Sequence, residues 1–196
     1  MSLPDLTRPD DADTIARLTD RLGRAAADVD LLDVAYRTID SPLGTLLLAA
    51  TPRGLVRVAF ETETEDEVLT ELAGRVSPRV LAAPARLDAA ARELEEYFEG
   101  RRREFDLAVD LTLASGFRRE VVTLLPQIAY GTTASYRDVA EMTGRPGATR
   151  AVGTACARNP VPLVLPCHRV VRADGSTGAY RGGPEAKVAL LRLEHE

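Results

Sequence analysis

Apolar and polar positions change their spacing twice along this chain, and each change marks a different kind of element. From Asp10 to Ala27, Ile15, Leu18, Leu22 and Ala25 recur at helical intervals behind an Asp-rich start, which predicts an amphipathic helix. The spacing then shortens. Ala35–Asp40, Thr45–Ala50 and Leu55–Phe60 are short apolar runs divided by Ser41-Pro42-Leu43-Gly44 and Thr51-Pro52-Arg53-Gly54, so a meander of three strands is predicted. Helical spacing returns over Glu65–Val76 and Leu87–Phe98, and Phe105–Leu111 alternates as a final strand.

Past Leu111 the strand signal fades. Gly116–Leu125 reads as a helix ended near Pro126, followed by short helices at Tyr136–Thr143 and Ala148–Arg158. The linker Gly144-Arg145-Pro146-Gly147 cannot continue a helix, so this pair has the form of a helix-turn-helix, a form any helical hairpin shares. A last helix opens with Gly183 at the N-cap and Pro184 behind it, and places Lys187, Leu190, Leu191 and Glu194 on one face. Three parts follow: an appended helical segment at 1–30, an α/β domain at 31–111 and a mostly helical domain at 112–196.

The chain has 196 residues, 45% of them hydrophobic, enough to bury a core. It contains no apolar run of about eighteen residues, and Met1-Ser2-Leu3-Pro4-Asp5 lacks the basic and apolar regions of a secretion signal, so a cytoplasmic protein with no membrane partner is expected. Two cysteines, Cys156 and Cys167, are too few for a disulfide scaffold, and with two histidines they build no zinc cluster. The net charge of −5 argues against nucleic acid only if taken whole. Residues 1–115 hold 14 basic and 23 acidic side chains, whereas 116–196 hold 11 and 7, so the C-terminal part is net positive and suited to a phosphate backbone.

The candidate chemistry lies in Pro166-Cys167-His168-Arg169-Val170-Val171, which puts a thiol and a base side by side. Neighbouring side chains diverge on a strand or a helix, so a bridging water, not direct contact, is the expected link between Cys167 and His168. An ordinary thiol is mostly protonated near neutral pH and needs such a base to act as a nucleophile. Glu194 falls on the apolar face of the last helix, where a carboxylate needs a partner; that partner is His168, or else Glu194 is a solvated helix end. Ala148-Thr149-Arg150-Ala151-Val152-Gly153-Thr154-Ala155 has almost no side-chain bulk. It suits close approach to a minor groove or tight packing in a core, and Arg150 is then a group entering the base stack or a surface charge. Likewise Tyr136 is a site residue or a core aromatic, and Asn159 a site residue or a helix C-cap.

Tyr136-Arg137-Asp138-Val139-Ala140, Arg150-Ala151-Val152-Gly153, Asn159-Pro160-Val161-Pro162, the Pro-Cys-His-Arg core, Gly178-Ala179-Tyr180-Arg181-Gly182-Gly183 and Leu190-Leu191-Arg192-Leu193-Glu194 occur in the order and spacing of the O6-alkylguanine-DNA alkyltransferases, the methylated-DNA–protein-cysteine methyltransferases. The chain closely resembles that family from Gly116 to Glu194 and more loosely from Asp33 to Leu111, through Ser41-Pro42-Leu43-Gly44.

The resemblance implies an RNase H-like first domain and a helix-turn-helix second domain. It implies single-turnover transfer of a methyl or alkyl group from O6 of guanine in double-stranded DNA, less surely from O4 of thymine, to Cys167. In that reading His168 and Glu194 activate the thiol. Arg150 fills the space of an extruded base, with Ala148, Thr149, Ala151 and Gly153 against the groove. Tyr136 turns the 3′ phosphate and protonates the departing guanine, and Asn159 holds the turn through Pro162. Tyr180 and Gly182-Gly183 wall the pocket, and backbone groups of Cys167, Val170 and Arg181 read the guanine edge. No cofactor and no protein partner are implied.

Two positions depart from the pattern. Arg181 stands where many relatives have a small residue, and Cys156, where methionine is frequent, reads as packing and not as a second acceptor. The rival readings are a lesion binder without transfer activity, a helix-turn-helix regulator and a Cys-His hydrolase. Cys167, the lack of a second DNA-binding module and the lack of an identifiable oxyanion hole weigh against them in turn.

Overall fold

The computed structural model describes residues 9–28 and 31–195. Met1-Ser2-Leu3-Pro4-Asp5 lies outside them. Helix α1 spans Pro9–Asp28. Strands β1 (Val34–Ile39), β2 (Leu46–Thr51) and β3 (Gly54–Phe60) form the expected antiparallel meander, with Tyr36 opposite Ala49 and Leu47 opposite Ala59. Ser41 tightens the first turn: its hydroxyl donates to the Gly44 carbonyl at 2.6 Å and accepts from the Leu43 N–H at 3.1 Å. Helix α2 (Glu65–Arg75) begins with a reciprocal capping box between Thr64 and Glu67.

The chain then adds β4 (Val80–Ala82) parallel to β1, giving the order β3-β2-β1-β4. Three half-buried residues are too few to show an alternation, which is why this strand is not legible in the sequence. A 3-10 turn at Pro84–Leu87 leads into α3 (Asp88–Phe98).

The strand predicted at Phe105–Leu111 does not form. Only Val109 bridges to Leu55, with the Leu55 N–H donating to the Ala108 carbonyl at 2.8 Å and the Asp110 N–H to the Leu55 carbonyl at 2.9 Å. The alternation is real, since Phe105, Leu107, Val109 and Leu111 all pack on the core. The backbone partner is what is missing: along β3 the Val58 N–H donates to the Pro160 carbonyl, 2.9 Å away in the other half of the chain.

That half contains α4 (Gly116–Leu124), β5 (Ala134–Ser135), α5 (Tyr136–Met142), α6 (Thr149–Ala157), β6 (Val170–Val171) and α7 (Gly183–His195). The paired helices α5 and α6 pack on α4, and β5 pairs in parallel with β6, a two-residue ladder that ties the start of α5 to the Cys-His segment. One apolar core runs through both halves, from Leu46, Leu94 and Tyr97 to Val121, Val152, Leu163 and Leu190. Helix α1 docks through its small side. A Cβ on Gly23 would lie 3.0 Å from the Ala82 carbonyl, and Ala26 is buried, while Ile15, Leu18 and Leu22 face outward at 62%, 58% and 56% exposure. The apolar stripe that marks α1 in the sequence is thus not the face that packs. Among the described residues no helix is long and apolar enough to cross a membrane.

Gly54 is irreplaceable on two counts, a φ of +135° and a backbone so close to Ala108 that a Cβ would overlap it. Gly54→Ala is expected to lower unfolding free energy by about 1–3 kcal/mol, read as a shifted urea midpoint with an unchanged slope.

Candidate active site

Every residue from Asn159 to Val171 is buried, so the reactive segment is a core element and not a surface loop. Asn159 organises it. Its side-chain oxygen accepts from the Val161 N–H at 3.1 Å, and its Nδ2 donates both to the Leu165 carbonyl at 2.7 Å and to Cys167 Sγ at 3.2 Å. The enclosed turn, which contains the buried Pro162, carries Leu163 at φ 75°, the one non-glycine residue among those described with a left-handed backbone. Such a conformation persists only where surrounding bonds enforce it, and the Asn159 clamp and the 3.0 Å bond from the Leu165 N–H to the Val161 carbonyl do so. Cys167, 1% exposed, then opens a short 3-10 turn, Cys167–Arg169.

His168 is fully buried, and its Nε2 lies 2.8 Å from Glu194 Oε1. Glu194 comes from the buried face of α7, as the helical spacing predicts. Three more groups reach its carboxylate: Arg169 donates from Nε at 2.8 Å and from Nη2 at 3.0 Å, the Tyr97 hydroxyl donates at 2.7 Å, and the Gly131 N–H at 3.3 Å. Burial pushes this carboxyl up, but the hydrogen bonds from His168 and Arg169 prevail and hold it down at about 2. An ionised Glu194 can only accept, so Nε2 carries the imidazole proton and Nδ1 keeps the lone pair. Nδ1 is buried with no hydrogen-bond partner among the described residues. Burial, against the pull of Glu194, lowers the His168 pKa, so the ring is a neutral base near pH 7.

The Cys167 thiol is pushed by burial up to about 11, opposed by the hydrogen bond from Asn159 and the charge of Lys187. At rest it is a thiol, and it needs the base beside it. Cys156 faces inward from α6, and burial drives its thiol well up with no hydrogen bond to relieve it. Both cysteines are free.

The remaining candidates divide into an inner and an outer set. Tyr136 opens α5 behind a Ser135–Asp138 capping box, its ring lies against Gly153, and its hydroxyl sits where a Cβ on Gly178 would be. Burial, then the neighbouring Cys156 and Cys167 thiols, raise the Tyr136 pKa and keep its proton in place. Tyr180 is buried with its ring edge-on to His168 at 6.3 Å, and Val170 is fully buried. Outside, Thr149, Arg150 and Ala151 are exposed along α6, with Ala148 and Gly153 half-buried beside them. Arg150 has no ion-pair partner among the described residues. Arg181 donates to Glu63 at 3.0 Å and 2.7 Å, and its charge still reaches the Cys167 thiol, which it favours in the ionised form.

Sequence reasoning missed Tyr97, Arg169 and Lys187. Arg169 stood inside the motif, and Lys187, the only lysine in the chain, shared the Glu194 face; it is fully buried, donates to the Val170 carbonyl at 2.5 Å and lies 5.7 Å from the Tyr136 ring centre. Tyr97, from α3, gave no local signal.

Glu194 ties pH to stability. Its folded pKa lies below the ordinary 4.5, so its contribution is whole above pH 4.5 and is lost as pH falls toward about 2. Glu194→Gln strands the Arg169 charge and is expected to cost about 3 kcal/mol at pH 7. The difference from wild type should shrink between pH 4.5 and 2, measured by urea unfolding across that range.

Residues 34–111 match the 6-O-methylguanine DNA methyltransferase ribonuclease-like domain, and residues 116–196 the DNA binding domain of the same family. A Mycolicibacterium paratuberculosis methylated-DNA–protein-cysteine methyltransferase is 41% identical over 82% of this chain and 92% of its own. A Bacillus subtilis inducible methylated-DNA–protein-cysteine methyltransferase is 38% identical over 75% and 82%. The crystal structure of Mycobacterium tuberculosis OGT in complex with DNA superposes with a TM-score of 0.72 at 38% identity, covering 82% of this chain and 92% of the other. With two family models spanning most of the chain and relatives this similar, the protein belongs to the 6-O-methylguanine DNA methyltransferase family.

Proposed function

We propose that this protein repairs double-stranded DNA directly, taking the alkyl group from O6 of guanine onto Cys167. The observation that carries the reading is a thiol held at 3.2 Å by Asn159 beside a buried His168–Glu194 pair at 2.8 Å. The thiol proton passes through a bridging water to His168 Nδ1, and Glu194 stabilises the imidazolium that forms. The thiolate attacks the O-bound carbon of the alkyl group; a C–S bond forms, the C–O bond breaks, and guanine leaves with the electron pair. Tyr136, whose proton is held by burial, protonates the leaving base. The thioether has no route back, so each molecule turns over once. O4-alkylthymine presents the same alkyl–oxygen bond and is the second substrate to assay.

The target atom lies inside the duplex, so the nucleotide has to be extruded. The exposed, low-bulk face of α6 supports minor-groove binding, and the exposed Arg150, without an ion-pair partner among the described residues, is our candidate to fill the vacated stack. The DNA complex of the mycobacterial relative supports DNA as the partner.

Incubation with an O6-methylguanine duplex is expected to add one methyl mass to the peptide bearing Cys167. Cys167→Ala should abolish the transfer with DNA binding kept, and Cys156→Ala should leave most of it; a methyl group found on Cys156 would overturn the assignment.

Arg150→Ala is expected to slow transfer from the duplex by roughly 100-fold, the scale of a few kcal/mol of unstacking, and transfer from free O6-benzylguanine far less. Equal losses on the two substrates would return Arg150 to a folding role.

A further inference from the structure

In this structure the thiol is covered. Cys167 is 1% exposed, so a base reaches the sulfur only if something beside it moves, and its neighbour Tyr180, 8% exposed and edge-on to His168, belongs to the segment Gly178–Gly183. Besides Tyr136 against Gly178 and His168 against Tyr180, it is attached to the N-terminal half. The Tyr180 ring stands edge-on to Phe60 at 5.5 Å, and Gly182 lies so close to Phe60 that a Cβ there would be 2.8 Å from its ring. The Thr62 hydroxyl donates to the Arg181 carbonyl at 3.4 Å. The remaining tie is ionic. Arg181 Nε and Nη2 donate to Glu63 Oε2 at 3.0 Å and 2.7 Å, with side chains only 23% and 21% exposed.

Glu63 is itself anchored from below. Arg57, 1% exposed, donates from Nη2 to the same oxygen at 2.5 Å and from Nε to Glu71 at 3.3 Å. One carboxylate oxygen therefore bridges a buried arginine of β3 and the arginine of the covering segment. Burial raises the Glu63 carboxyl, but Arg181 and Arg57 together bring it below its ordinary value, so it is charged near neutral pH. Without Arg181 the covering segment would rest on van der Waals contact and one long hydrogen bond.

We propose that Arg181 is a positioning and specificity-determining residue: its ion pair with Glu63 latches Gly178–Gly183 over Cys167 and limits how widely the alkyl pocket opens. Bulky alkyl groups, which need wider opening, are then taken more slowly than methyl. The specificity part rests on the alkyl-transfer reading; the latch does not, since it governs access to the thiol for any reagent.

The test reads the two parts separately on the full chain. Cys167 is labelled with N-ethylmaleimide without DNA and followed by peptide mass, with Cys156 as internal reference. Arg181→Ala and Glu63→Gln should each speed Cys167 labelling roughly fivefold, the equivalent of a favourable partly exposed ion pair, and Arg181→Lys should recover much of the wild-type rate. Thermal unfolding of each variant accompanies the labelling. If Glu63→Gln melts early because Arg57 loses a partner, Arg181→Ala decides alone, with labelling read across pH to separate access from ionisation, because the Arg181 charge also favours the Cys167 thiolate and lies 4.0 Å from Glu71.

The second reading is the ratio of transfer rates from O6-benzylguanine and O6-methylguanine duplexes, expected to rise severalfold in Arg181→Ala. Unchanged Cys167 labelling in Arg181→Ala overturns the latch. Faster labelling with an unchanged ratio overturns its role in specificity. Faster labelling in a protein that takes no alkyl group from either duplex leaves the latch standing and removes the transfer reading.

Discussion

The buried carboxylate of Glu194 is the interaction on which the site depends. A lone charge in the core would be driven to its neutral form, yet here four groups from three regions converge on two oxygens: Tyr97 from α3, Gly131 ahead of β5, and His168 and Arg169 from the reactive segment. With the carboxylate fixed as an acceptor, the tautomer of His168 follows, and with it the ring nitrogen that is left as a base. Arg169 balances the negative charge, so that Glu194 orients an uncharged imidazole.

The same economy of partners shapes the segment that carries the thiol. A run buried from Asn159 to Val171 needs internal partners for its backbone, and the clamp made by Asn159, the two-residue ladder of β5 and β6 and the Lys187 bond to Val170 provide them. The thiol ends up in a setting that favours its protonated form. The charge of Lys187 opposes that shift, and His168 is the neighbouring neutral base.

The N-terminal half contributes scaffolding of a specific kind. It donates Tyr97 to Glu194, receives the Pro160 carbonyl on β3, and ties down the covering segment through Phe60 and Glu63. The acidic half thus faces the back and rim of the site, and the net-positive half presents α6 to solvent.

By itself the sequence determined the meander, the paired short helices, the thiol, its base and the face of the last helix that carries Glu194. These are local matters: spacing, turn residues and a motif whose members lie within one segment or one helical period. The tertiary structure decided the rest. The alternation of Phe105–Leu111 reports side-chain burial truthfully, but a strand needs a backbone partner, and part of the β3 edge is taken by Pro160. The apolar stripe of α1 faces outward because the close approach of Gly23 to Ala82 governs docking. Arg181 reads as a pocket residue from its place in the chain, yet its guanidinium pairs with Glu63, far away in sequence. Tyr97 and Glu194 meet across 97 positions. Pairings of this kind are set by which surfaces the shared core brings together, and no local pattern of residues encodes them.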